Sequence, residues 1–155
     1  MTPDDPTVRH YLKHSMVMRL ATQSSTGRAS LTPIWFVVRD GALVASTAAS
    51  TVAARNVAAD PRVAVLLDAE RAGGAEHVLR LRGTASLHTG LPPLGTLARL
   101  AGKYYLAPRG LGGELAHVRQ WRARQRYYAQ SEAVWIEIRP DAADLLSTPR
   151  SRSDS

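Results

Sequence analysis

The sequence contains no cysteine, which excludes disulfides, thiolate metal ligands and a thiol nucleophile. It has no run approaching the ~18 unbroken apolar residues of a membrane span. The first residues, MTPDDPTVRH, are acidic and polar, unlike a secretory leader. A cytoplasmic protein that does not enter the membrane is the expectation from these absences. Lysine is confined to Lys13 and Lys103, so the net charge of +7 rests almost wholly on arginine. Such a balance favours anionic partners. The arginines are nevertheless scattered over several elements, and no recognition motif for DNA or RNA is present, so nucleic acid is not the expected partner. No internal repeat is visible, and no spacing brings Ser, His and Asp together as a hydrolase would need.

What is present is an ordinary globular composition, 45% apolar and 21% charged. A chain of 155 residues suggests one domain that buries about 68–70% of its unfolded surface. We place that domain at residues 1–146. Residues 147–155 (STPRSRSDS) have no apolar content and read as a disordered tail.

Pro3-Asp4-Asp5-Pro6 offers a helix start with Asp5 as cap and Pro6 in the first turn, followed by Val8, Leu12 and Met16 on one face. Residues 16–22, 30–39, 42–47, 62–68, 77–88 and 133–139 read as six strands. Asp40-Gly41 marks a hairpin. Pro33 argues for an edge position in the second strand, Gly83 for a bulge or a close backbone approach in the fifth, and Pro140 for the end of the sixth. Residues 69–76 and 108–113 read as loops, 94–105 as a helix with Leu94, Leu97 and Ala101 on one stripe, and 114–128 as an arginine-rich helix. The order predicts a mainly β fold: a six-stranded antiparallel β-barrel with added helices.

Two stretches stand out chemically. Ser46, Thr47, Ser50 and Thr51 end the third strand, with Arg55 one helical turn further on. Hydroxyls and helix-start amides converging there suit a phosphate, and they equally suit a plain helix cap. His10 and His14, spaced i, i+4, could face a metal, but no third ligand follows.

The sequence Met18-Arg19-Leu20-Ala21-Thr22, Thr26-Gly27-Arg28-Ala29-Ser30, Pro33-Ile34-Trp35-Phe36, Asp40-Gly41 and then the stretch from Thr47 to Val63 resembles the pyridoxamine 5'-phosphate oxidase-like split β-barrel family. Its most specific part is Arg55-Asn56-Val57 with Asp60-Pro61-Arg62-Val63. The resemblance implies an FMN-binding type of split barrel. It also implies a homodimer with the cofactor at the subunit interface, and hydride transfer to a small-molecule substrate. FMN is the default cofactor, the 5-deazaflavin F420 the alternative, and haem or no cofactor the remaining options. By the same resemblance Pro33, Ile34, Trp35 and Phe36 run beside the cofactor ring. Thr47, Ser50, Thr51 and Arg55 stand at its phosphate end, and Arg80 lies on a later strand where relatives carry arginine.

The chain also departs from that pattern. The Arg and Lys of the family's phosphate motif fall on Val52 and Ala53, a glutamine near the flavin falls on Val78, and basic strand positions fall on Pro33 and Val38. Each lost charge-assisted hydrogen bond removes about 1.5–3 kcal/mol, against about 8 kcal/mol for micromolar binding. A reductase is therefore the expectation rather than a true pyridoxamine phosphate oxidase. The alternative is a cofactor-less or haem-binding barrel acting as a binding module.

Overall fold

Local signals set the elements where the sequence puts them. The structure, a computed structural model, describes residues 1–68, 77–105 and 132–147. Helix α1, Pro6–His14, begins at a proline whose missing N–H is harmless in the first turn. Asp5 caps it, accepting a hydrogen bond from Thr7 N at 2.8 Å. Helix α2 spans Val52–Ala59 and α3 spans Leu94–Tyr105. The strands are β1 (Val17–Gln23), β2 (Ala29–Trp35), β3 (Val37–Arg39), β4 (Ala42–Ala48), β5 (Arg62–Leu67), β6 (His77–Thr89) and β7 (Ala133–Ser147).

All seven strands form one antiparallel sheet in the order β2-β1-β5-β6-β7-β4-β3. Its two end strands are consecutive in the chain and joined by Phe36 alone, so the sheet curls back on itself as a split barrel. The stretch expected as one strand, residues 30–39, divides at Phe36. Its first part pairs with β1 and its second with β4. One straight strand cannot serve both neighbours, and the count among the described residues is therefore seven strands rather than six. Pro33 sits on end strand β2, as its missing donor requires. Asp40 and Gly41 take φ of 50° and 76°, the paired positive values of a tight hairpin turn between β3 and β4.

The last strand also differs from the expectation. Pro140 does not end it. Gly83 pairs with Pro140 while Arg82 pairs with Ala142, leaving Asp141 as an extra residue in β7. A bulge tolerates a proline because the ladder is already interrupted there, and β7 continues to Ser147. Gly83 is required by the same irregularity: a Cβ there would lie 2.9 Å from Pro140 Cα and closer still to the Arg139 carbonyl oxygen.

Alternate residues fill the barrel. Met18, Leu20, Leu79, Leu81, Ile136 and Ile138 point inward around Phe36, all essentially inaccessible to solvent. The helices close its two ends. At one end Ser15 Oγ, just after α1, donates to Asp68 O at 3.0 Å. At the other end α2 buries Asn56, whose Nδ2 donates to Thr22 Oγ1 at 3.0 Å, which avoids the ~1–3 kcal/mol cost of an unmet buried amide.

Helix α3 docks with a polar face. The apolar stripe read from the sequence begins at Leu94, which is 85% exposed. Instead Thr96, Arg99 and Lys103, one turn apart, face β3. Arg39 Nη1 donates to Thr96 Oγ1 at 3.0 Å, Arg99 Nη1 to Val38 O at 3.2 Å and Lys103 Nζ to Phe36 O at 3.0 Å. The end strand β3 carries carbonyls that no further strand satisfies, and the cations of α3 meet them. Residues 69–76, the expected helix at 114–128 with its preceding joint, and residues 148–155 lie outside the described residues. Among the described residues no helix is long and apolar enough to cross a membrane.

Candidate functional site

The hydroxyl cluster lies where β4 runs into α2. Thr51 is the N-cap of α2: its Oγ1 accepts from Ala54 N at 3.3 Å and donates to Ala48 O at 2.8 Å. Thr47, buried at the end of β4, donates to Thr51 Oγ1 at 3.2 Å. The cap reading of this stretch is thus realised, and it has a chemical consequence. A phosphate needs donors, and both threonine protons are already spent inside the protein. The donors left at this corner are the exposed Ser50 hydroxyl, the Val52 and Ala53 amides of the first turn, which have no intrahelical acceptor, and Arg55. The last is exposed and makes no ion pair among the described residues.

Of the four residues expected beside a cofactor ring, two face outward. Pro33 is exposed and Trp35 half-buried, whereas Ile34 packs against the core and Phe36 is wholly inside it. Phe36 can therefore offer a ligand only its backbone, and its carbonyl already accepts from Lys103.

Arg80 is held apart from the hydroxyl corner. It lies on the outer surface in a row of cross-strand partners running Pro33, Arg19, Leu66, Arg80, Asp144. At about 4.8 Å per strand, Arg80 stands roughly 14 Å from Pro33. Thr47 pairs with Val134 and Arg80 with Asp144, which leaves roughly 30 Å of β7 between them at ~3.3 Å per residue. Arg80 Nη2 meets Asp144 Oδ2 at 3.1 Å, and Arg82 approaches the same oxygen at 3.5 Å. The Nε of Arg80 is buried without a partner among the described residues.

The positions that replace the family's cations are apolar in different ways. Val52 is 46% exposed at the start of α2, and Ala53 is buried beneath it. Val78 lies half-buried opposite Leu146. Among the described histidines, His10 and His14 sit with ring centroids 4.5 Å apart on α1, and His88 stacks on Trp135 at 4.0 Å. No group of three or more His, Asp or Glu able to hold a metal occurs among the described residues.

Sequence reasoning missed Lys103. Its Nζ sits 3.7 Å from the centroid of the Phe36 ring, and burial pushes its pKa down to about 8. The signal was the i, i+3, i+7 spacing of Thr96, Arg99 and Lys103, passed over because the stripe is polar. Below pH 8 this lysine is charged in the folded and unfolded chain alike. Between about 8 and its ordinary 10.5 the folded chain binds fewer protons, so stability rises with pH across that window. Lys103→Met is expected to flatten the rise in urea titrations from pH 7.5 to 10 (about 0.5-unit steps). An equal slope in the variant would assign the effect elsewhere.

The comparisons agree with this architecture. The family described as pyridoxamine 5'-phosphate oxidase matches residues 4–146. No curated protein matches. Among solved structures, an F420 reductase is 18% identical, with 86% of this chain and 93% of that one covered at a TM-score of 0.59. The heme storage protein HutZ from Vibrio cholerae is 17% identical, with 95% of each chain covered and a TM-score of 0.62. An FAD-binding protein from Mesorhizobium loti is 19% identical over 88% of this chain and 89% of its own, at 0.54. At these identities the likeness is one of fold. With the family match spanning nearly the whole chain and the sheet closed as a split barrel, this protein belongs to the pyridoxamine 5'-phosphate oxidase family.

Proposed function

We propose that the protein is a flavin- or deazaflavin-dependent reductase, with FMN the first cofactor and F420 the alternative. It acts as a homodimer on a small apolar or conjugated substrate. One observation carries the reading: the unspent donors at the start of α2. The Ser50 hydroxyl, the Val52 and Ala53 amides and the Arg55 guanidinium fit a phosphate group, although Thr47 and Thr51 give it no proton. Family membership and the similarity to an F420 reductase and an FAD-binding protein support it.

When bound, such a cofactor supplies the hydride chemistry. The chain's own part is to hold and orient it. The Pro33 to Phe36 backbone would run along the ring, with Trp35 covering it from water. The α2 start would hold the phosphate, its helix end adding ~0.3–1 kcal/mol. Arg55 would supply the charge that Val52 and Ala53 lack. Within one chain Arg80 is too far along β7 to join it.

Protein purified from a host that makes both coenzymes should be yellow, and its absorbance and fluorescence distinguish flavin from deazaflavin. Arg55→Ala is expected to weaken FMN binding at least about tenfold, or ~1.4 kcal/mol. Unchanged affinity would move the phosphate elsewhere, and a colourless protein that takes up neither coenzyme rejects the reading. The second reading, a cofactor-less or haem-binding module, is favoured by Val52, Ala53 and the internally consumed hydroxyl protons. A Soret band would identify the haem form.

A further inference from the structure

Between α1, β3 and α3 lies a groove of about 420 Å³. Leu12, Val37 and Val38 make its apolar wall, and Arg9, Lys13, Arg99 and Lys103 stand around it, with no acidic residue in the lining among the described residues. Elsewhere most of the described arginines lie beside carboxylates, among them Arg19 by Asp68, Arg62 by Asp60, Arg80 by Asp144 and Arg139 by Glu137, whereas Arg28 and Arg55 stand singly. Arg9, Lys13 and Arg99 are exposed and have no such partner among the described residues. Like charges gathered around a concave surface raise its potential and favour an anion there.

We propose that this groove binds a small organic anion, a carboxylate carried on an apolar body. The head would meet Arg9, Lys13 and Arg99, and the body would lie on Leu12, Val37 and Val38. The volume falls within the range of ~300–1,000 Å³ usual for small-molecule sites. A hydrophilic anion would leave the apolar wall uncovered, and a neutral apolar molecule would leave the cations unmet. The groove lies at the α1 end of the barrel and the hydroxyl corner at the α2 end, so it is tested separately from the phosphate corner, although it adjoins the strand proposed for the coenzyme ring through Lys103 on Phe36.

Calorimetric titration of the full chain with decanoate, decanol and inorganic phosphate tests it. Decanoate is expected to saturate a single site per chain, with decanol and phosphate each weaker by about tenfold or more. The combined variant Arg9→Gln, Lys13→Gln, Arg99→Gln changes exposed side chains, Arg99 also giving up its bond to Val38 O, and circular dichroism and thermal melting report whether it stays folded. It should lose decanoate affinity by about tenfold, and with Val38→Trp, which narrows the groove, the same loss is expected from steric exclusion. The proposal is overturned if decanoate shows no saturable binding, if decanol or phosphate binds equally well, or if both folded variants bind decanoate unchanged.

Discussion

Gly83→Ala is expected to destabilise the barrel by about 3 kcal/mol, the upper end of the usual cost of overpacking, and Gly83→Val is expected not to fold. The atoms in the way are backbone. A Cβ at this position meets the Arg139 carbonyl and comes within 2.9 Å of Pro140 Cα. No rotamer change relieves that contact, and the strands must separate where β6 and β7 shift register. Because β7 also pairs with β4, a displacement there reaches a second ladder. Urea denaturation of the alanine variant should show a lowered midpoint with an unchanged slope. A loss below about 0.5 kcal/mol, the scale of an ordinary surface change, would mean that β7 moves aside freely and that the bulge is not a fixed point of the fold.

The second large effect is at Phe36. It is the single phenylalanine of the sequence and, among the described residues, the largest fully buried side chain. Truncation to alanine is expected to cost about 3–5 kcal/mol, the range for a buried aromatic. Phe36→Leu keeps most of the apolar volume and removes the ring face under Lys103. It should cost less, about 1–2 kcal/mol, part of it the lost cation–π contact. Thermal and urea unfolding of the pair separates packing from ring electrostatics. Equal costs for leucine and alanine would show that the ring face, rather than volume, is what the core requires.

Strands with a clean two-residue period were legible in the sequence, because one inward face must be apolar. Leu79 and Leu81 against Arg80 and Arg82 are the plainest case. Capping was legible as well: Asp5 and Thr51 do what short polar side chains do before a helix. What was not legible depended on partners distant in the chain. Nothing near Phe36 in sequence says that the residues before and after it pair with different strands. Pro140 looks like a strand end until Gly83, on another element, supplies the irregularity that accommodates it. The docking face of α3 was not legible because its neighbour is a strand edge with open carbonyls, which attracts Arg99 and Lys103 over leucine.

At the candidate site, the sequence located the hydroxyls but not their protons. Whether Thr47 and Thr51 can serve a ligand depends on Ala48 O, a backbone acceptor only the folded turn presents. The separation of Arg80 from that corner likewise follows from register along β7, which composition does not encode.

The position of β7 between β6 and β4 has a consequence for a chain still emerging from the ribosome. Until the last strand is synthesised, β4 and β6 each present an open edge, and the inward faces of Leu43, Leu79 and Leu81 have no complete enclosure. Most of the protein is then exposed to intermolecular pairing during translation, a period of several seconds at about 5–20 residues per second. The closing step is a single late insertion into a waiting gap, and nascent chains stalled before residue 133 would be clients for chaperones rather than independently folded intermediates.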